Sequence, residues 1–512
     1  MQFTRKNVWD LGKDWADPIL WYARGIKAMQ ALPLANTTSW RFYAGIHGID
    51  NNLWKALGYL HSSDKMPASG DVKRFWKQCQ HGSWYFLPWH RGYLLALEAN
   101  IRAEVTKLGG PADWALPYWN YFKPNEFKLP PAFASPDWPD GKGDNPLFVK
   151  QRYGPNNNGN VFVPISEVNL DALSDPDFTG VAGGGSPGFG GVDTGFSHGG
   201  TTHGGIETQP HDWVHGLVGG GDPNNPNIPG LMSDPDTAGL DPIFYLHHAN
   251  IDRLWQVWRQ NPPTHVDPTK DSKWEKGPAS IGERAFSMPM PGGKPWDYTP
   301  ADMEDMAKLG YTYDDLSPAV APTTLTERMV SLGATAAAVN AAKGRGAVAS
   351  GKHVELLGAS REAVPITGTE AKAAVHLDPG VRRKVRASLT AAAEATTPDR
   401  VFLNLENVRG LSDATAFRVY IDLPEGANPA DYPDRLAGSV ALFGVRKATQ
   451  TDDEHGGQGL NFVLEITKIV DALHLRNALD VDALNVRIVP VNPVPAEAEI
   501  RIGRISIFRQ GS

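Results

Sequence analysis

Six of the 15 histidines constrain this chain more than any other feature. His47, His81 and His90 follow one another at intervals of 34 and 9 residues; His211, His215 and His248 follow at 4 and 33. Each group is therefore a close pair with a distant single. Residues four apart on a helix share a face, so His211 and His215 can grip one ion. His248 lies in a second helical run, Pro242 to Gln260, and completes the trio. His90 lies in a long amphipathic run, Leu87 to Leu108, with His81 just before it and His47 on an earlier helix. Four helices that direct histidines inward form a bundle with metal in its core. All-imidazole donor sets suit zinc, copper, iron or nickel, whereas carboxylates suit magnesium, calcium or manganese. Two facing three-histidine sites suit a pair of copper ions with dioxygen between them.

The rest of the chain divides in two. All 16 tryptophans of the 512 residues precede residue 300, and beyond about 400 apolar and polar residues alternate. The spacing predicts helices over Pro18 to Ala31, Asp71 to Gln80, Leu87 to Leu108, His211 to Leu217 and Pro242 to Gln260, joined by long loops. The glycine-rich stretch from Phe178 to Gly205 is expected to lack regular structure. About seven short strands, among them Gly438 to Val445, predict a C-terminal antiparallel β-sandwich. The expected fold is thus a mainly α catalytic domain over 1–323, a linker over 324–351 and a β-sandwich domain over 352–512. A net charge of -8 argues against nucleic-acid binding. No apolar run is long enough for a transmembrane helix. The start shows no apolar signal segment and Cys79 is the one cysteine, so a cytoplasmic location is expected.

Two segments carry a family resemblance. His81-Gly-Ser-Trp-Tyr-Phe-Leu-Pro-Trp-His90-Arg91 through Glu98 resembles the first copper-site signature of tyrosinases, and Asp241-Pro-Ile-Phe244-Tyr-Leu-His-His248-Ala-Asn-Ile-Asp252 resembles the second. The C-terminal strands resemble the sandwich of plant polyphenol oxidases and molluscan haemocyanins. The resemblance implies a type-3 copper enzyme. His47, His81 and His90 would bind one copper, and His211, His215 and His248 the other. Dioxygen would be the cosubstrate. The reaction would ortho-hydroxylate monophenols and oxidise o-diphenols to o-quinones. A catechol or o-aminophenol oxidase, a haemocyanin-like oxygen carrier and a dinuclear zinc hydrolase are the alternatives. Small phenols and catechols are the expected partners, without nucleic acid or membrane, and a homo-oligomer is left open.

The resemblance also assigns residues around the site. Cys79 would be joined to the His81 ring by a thioether, which removes ring rotation. Glu207 would hold a water near the coppers, together with the residue after His211. That residue is often Asn in the family and is Asp212 here; it is read either as a helper in proton transfer or as an acid at a helix start after Pro210. Phe244 would line the substrate pocket. The gating position of bacterial and fungal members falls at Pro235, between Asp234 and Asp236, so the entrance is expected to be acidic. Arg91, Asp252 and Glu98 read as ion pairs that tie helices together. His198 and His203 read as exposed residues without a role. The C-terminal domain is expected to cover the entrance, with Arg446 to Gly459 a mobile loop. Phe443 is one candidate plug, although its place in a strand favours the sheet core.

Overall fold

The computed structural model describes residues 2–181, 183–260, 265–317, 325–344, 353–394, 397–451, 457–479 and 481–511. Parts of the expected linker, and Asp452 to Gly456 of the expected mobile loop, lie outside them.

Among the described residues, five of the helices in the first part position the site. Helix α1 (Asp17–Gln30) starts with Pro18 in its first turn and buries Ile19, Tyr22, Ala23, Ile26 and Met29 along one stripe. Helix α2 (Trp40–His47) is capped by the Ser39 side chain, which accepts from Phe42 N. Helix α3 (Phe86–Lys107) packs along α1. The contact is close because residue 25 is glycine: a Cβ there would lie 2.7 Å from the Ile101 side chain. Helix α4 (Trp213–Gly219) continues a wide turn over Glu207–Asp212 that is broken at Gln209, whose φ of -141° and ψ of 124° are extended. Helix α5 (Pro242–Gln260) is buried almost all round, as a central helix must be. The Asp71 to Gln80 expectation is met only in part: that helix covers Ser69–Phe75, and the chain then runs extended. The described residues of the glycine-rich stretch carry isolated bridges but no strand or helix up to Gly204. The stretch is nonetheless packed, with Phe189 stacked flat on Trp258 at 4.6 Å.

A buried ionic knot ties this core together. Strand Phe3–Arg5 pairs with Tyr311–Tyr313 and so carries Arg5 inward. Arg5 donates to Glu98 at 2.7 Å and to Asp252 at 3.2 Å, and Arg91 donates to Asp252 at 2.6 Å. The Tyr311 and Tyr313 hydroxyls donate to the same carboxylate. Arg91, Glu98 and Asp252 therefore join helices, as their place in the two signatures suggested.

The second part is one antiparallel sheet of nine strands: β1 (His353–Ala359), β2 (Val364–Pro365), β3 (Ala371–Leu377), β4 (Arg400–Arg409), β5 (Ala416–Ile421), β6 (Leu436–Ala441), β7 (Leu460–Glu465), β8 (Ala483–Pro490) and β9 (Arg501–Gly511). The order is β6-β5-β8-β3-β1-β9-β4-β7, with β2 paired to β9. The end strands β6 and β7 meet where Gly438 lies against Leu464, so the expected sandwich closes nearly into a barrel. Its core holds Val401, Leu403, Leu405, Phe417, Val419, Phe462 and Ile488. Helices α6 (Pro379–Ala391), α7 (Val445–Thr449) and α8 (Thr467–Leu475) complete the domain. The strand expected from Gly438 to Val445 ends at Ala441. Gly444 adopts a left-handed φ of 86° that breaks it and starts α7. Within the expected linker, the described residues carry two short helices, Leu325–Ser331 and Ala336–Gly344. Among the described residues, no helix is long and apolar enough to cross a membrane.

Candidate metal centre

Helix α2 ends on His47, the first turns of α3 present His90, α4 and the turn before it present His215 and His211, and α5 presents His248. His81 comes from the extended segment before α3, where its backbone N donates to Ser197 O. The rings of His47, His81 and His90 lie 5.2, 5.5 and 5.7 Å apart, and those of His211, His215 and His248 lie 4.5, 4.8 and 5.5 Å apart. The two groups face each other, with His90 stacked on His248 at 4.4 Å. All six are buried.

Which nitrogen of each ring is free follows from its partner. A backbone carbonyl only accepts, so His47 Nδ1 donates to Pro235 O at 2.7 Å, His90 Nδ1 to Phe86 O at 2.8 Å and His215 Nδ1 to Met232 O at 2.6 Å. That leaves the Nε2 lone pair unprotonated on each. Burial pushes His47 down to about 4 and the other five well below the usual histidine value, so the rings are neutral. Nε2 of His47, His81 and His90 is buried with no hydrogen-bond partner. Nε2 of His211 and of His215 each lies 3.3 Å from Nε2 of His248. Converging lone pairs repel unless a cation lies among them, and buried polar atoms seldom stay unpartnered. The donor set thus fits a metal pair, and all-imidazole donors fit copper. His247, the neighbour in the doublet, meets the Tyr121 hydroxyl through Nδ1 at 3.3 Å, while its own Nε2 is buried without a partner beside the same group.

A carboxylate cluster backs the second group. Asp212 Oδ1 accepts from His211 Nδ1 at 2.8 Å and its Oδ2 accepts from His203 Nδ1 at 2.6 Å. Asp212 is buried in the first turn of the helix that begins after the extended Gln209, which fits its reading as an acid at a helix start, while its carboxylate is taken up by His211 and His203. Both oxygens of Glu207 accept from Gly82 N at 3.0 Å. Burial pushes Glu207 up to about 8. His203 is also buried; burial opposes its charge, but Asp212 and Glu207 raise it to about 9. The expectation that His203 is exposed is therefore wrong. His198 is corrected as well: it is half-buried, and its Nδ1 lies 3.2 Å from Cys79 Sγ. Cys79 Sγ is also 3.5 Å from His81 Nδ1.

Two phenylalanines fill the space between rings. Phe86, whose role the sequence reading missed, lies 4.6 Å from His90 and 4.8 Å from His211. Phe244 lies 4.1 Å from His248 and 4.9 Å from His47, fully buried.

The mouth of the centre is covered from the second domain. Phe443, in the turn between β6 and α7, lies 4.2 Å from the His215 ring, 5.4 Å from His81 and 5.6 Å from His211. It packs with the core of the first part and not into the sheet core. The space left beside it, lined by His81, His203, Pro235, Phe443 and Lys447, is about 10 Å³, at the lower limit for one water. Helix α7 fastens Phe443. Arg446 donates to Asp50 at 2.9 Å, Asp234 at 2.7 Å and Asp413 at 3.3 Å. Lys447 donates to Asp236 at 2.7 Å and lies 2.7 Å from His198 Nε2. The entrance is thus not an open acidic mouth: Asp234 and Asp236 are matched by these cations. Arg446 and Lys447, expected to start a mobile loop, are its anchored part.

Comparison with known proteins agrees with this arrangement. The family model described as the common central domain of tyrosinase matches residues 37–167 and 178–261. A domain of unknown function, DUF7868, matches residues 353–510. A tyrosinase of Hahella sp. (strain CCB-MM4) is 32% identical over 530 residues, covering 99% of this chain and 99% of that protein. The solved structure of latent apple tyrosinase aligns with a TM-score of 0.56 at 21% identity, covering 99% of this chain and 97% of that one. That of tyrosinase from Burkholderia thailandensis aligns at 0.51 and 16% identity, covering 97% and 96%. At those identities the two structures speak for the fold; the full-length relative and the central-domain match carry the sequence, and the chain belongs to the tyrosinase family.

Proposed function

We propose that this chain is a copper-dependent phenol oxidase. It binds two coppers, one through His47, His81 and His90 and one through His211, His215 and His248, and uses dioxygen to ortho-hydroxylate monophenols and to oxidise o-diphenols to o-quinones. The observation that carries this reading is the pair of facing, buried histidine groups with their Nε2 atoms free or in mutual contact. When bound, the copper pair would supply the activation of dioxygen. The protein's own part is to hold neutral rings at fixed angles, exclude water and manage one proton.

That proton is the phenol's. A phenol titrates near ~10, so at neutral pH it needs a base. Glu207 is the acid–base group we assign. Its carboxyl is buried, anchored by Gly82 N, and burial lifts it to about 8, closer to a phenol than an ordinary carboxylate. Glu207→Gln should reduce oxygen uptake with L-tyrosine more than with L-DOPA; equal losses on both would make Glu207 structural only. Asp212 assists by orienting His211. The Cys79–His81 thioether is supported by the approach of Sγ to the ring. Its signature is a peptide two hydrogens lighter than the sequence, and an alkylatable thiol in the copper-loaded protein would exclude it.

Phe443 makes the enzyme latent. With about 10 Å³ left above the rings, no phenol reaches them while α7 is latched. Phe244 and Pro235 then line the path that opens. Burying a Phe side chain stabilises a closed state by about 1.5–3 kcal/mol, so Phe443→Ala should raise activity on bulky phenols about 10- to 100-fold at unchanged copper content. Mild proteolysis near the linker should act in the same direction. A variant with full copper and no gain would make the C-terminal domain a cap only.

A further inference from the structure

We propose that His203 is a positioning residue for this centre, holding Asp212 in the orientation that clamps the His211 ring; the inference rests on the copper reading above. Three of the six rings, His47, His90 and His215, are oriented by backbone carbonyls, which the fold itself fixes. His211 is different. Its Nδ1 is held by the side-chain carboxylate of its own neighbour, Asp212. A side chain held at one oxygen can still turn about χ1 and χ2. The second oxygen is what stops it, and the group bound there is His203 Nδ1 at 2.6 Å. Both residues are buried, so no bulk water stands ready to replace the lost partner.

His203 reaches this place from a loop that glycine lets pack tightly. Gly199 has a φ of 90°, and Gly200 and Gly204 approach neighbouring backbone so closely that a Cβ would lie 2.4 and 2.7 Å from it. Gly200 N donates to His81 O within the first domain, and the C-terminal domain adds a second hold. On strand β7, Asn461 N donates to Thr201 O, and Phe462 meets the His203 ring edge-on at 5.7 Å. The domain that plugs the mouth through Phe443 thus also braces, through β7, the loop that orients a copper ligand.

The test compares His203→Leu with His203→Asn in the full copper-loaded chain. Leu fills space without a donor; Asn keeps an N–H close to where Nδ1 stands. Outer partners of metal-bound histidines contribute about 10- to 100-fold in affinity. In competition with a chelator, His203→Leu should release one of its two coppers about 10- to 100-fold more readily than the wild type, the other copper being retained as before. His203→Asn should stay within about threefold of wild type by the same reasoning. If Leu proves unable to fold, His203→Ala takes its place beside Asn. Equal retention in wild type, Leu or Ala, and Asn variants overturns the inference, as does equal loss of both coppers in all variants. A wild-type chain that cannot hold two coppers overturns the copper reading and this inference together; two coppers in the wild type with no selective release overturns this inference alone.

Discussion

His90→Ala and His211→Ala are each expected to abolish phenol oxidation and to bring bound copper to one ion or fewer per chain, measured by metal analysis and oxygen uptake. Each group rests on three signature histidines, with Cys79 beside the first and His247 beside the second, and losing one ring leaves two of the three. The buried site cannot recruit water to finish the shell without opening a path through residues such as Trp89 and Phe86, which are fully buried. His247→Ala is the contrasting case. Its ring is 5.0 Å from His215, yet its Nδ1 is engaged by Tyr121 and it is His248 Nε2 that meets both His211 and His215. That variant should keep two coppers. Copper loss from His247→Ala with retention in His248→Ala would reverse the assignment within the doublet.

Asp252→Ala is expected to cost about 3–5 kcal/mol of stability, because it leaves Arg5 and Arg91 buried without their shared counter-ion. Both arginines are fully buried, and four groups converge on the one carboxylate. Burial would raise the Asp252 carboxyl, but Arg91 and Arg5 overcome it and hold it below the ordinary range. A depressed carboxyl contributes stability at pH above its unfolded value of ~3.9, and that contribution is lost as pH falls through the lower folded value. Chemical denaturation near neutral pH measures the loss. A change under about 1 kcal/mol, the scale of an exposed pair, would show that the knot does not bear on stability.

Much of this centre was legible because its chemistry is periodic. The i, i+4 spacing of His211 and His215 and the long apolar runs around His90 and His248 carry their geometry within a few helical turns. What stayed hidden depends on contacts far apart in sequence. Phe443 reads as a strand residue because it ends the short apolar run Ser439-Val-Ala-Leu-Phe; only the left-handed Gly444 and the latch of Arg446 to Asp50 and Asp234 turn it onto the histidines. His203 and His198 read as exposed because glycine surrounds them, yet Phe462 and Lys447 cover them from some 250 residues away. Asp212 does lie at a helix start, after the extended Gln209, but its pairing with both His211 and His203 is invisible to that pattern. Strand β3 was missed because its alanine-rich segment is weakly patterned; helix α6 was missed although Val381, Val385 and Leu389 recur every four residues and are buried.

The central claim is a latent, two-copper phenol oxidase, and one measurement meets it most directly. The intact, copper-loaded chain and the same chain carrying Phe443→Ala are assayed for oxygen uptake with L-tyrosine and with L-DOPA, alongside copper content. The account predicts two coppers per chain in both, slow uptake by the intact chain, and faster uptake on both substrates once Phe443 is gone. Full turnover by a chain holding a single copper, or two bound coppers with no phenol-dependent uptake even without Phe443, would contradict it.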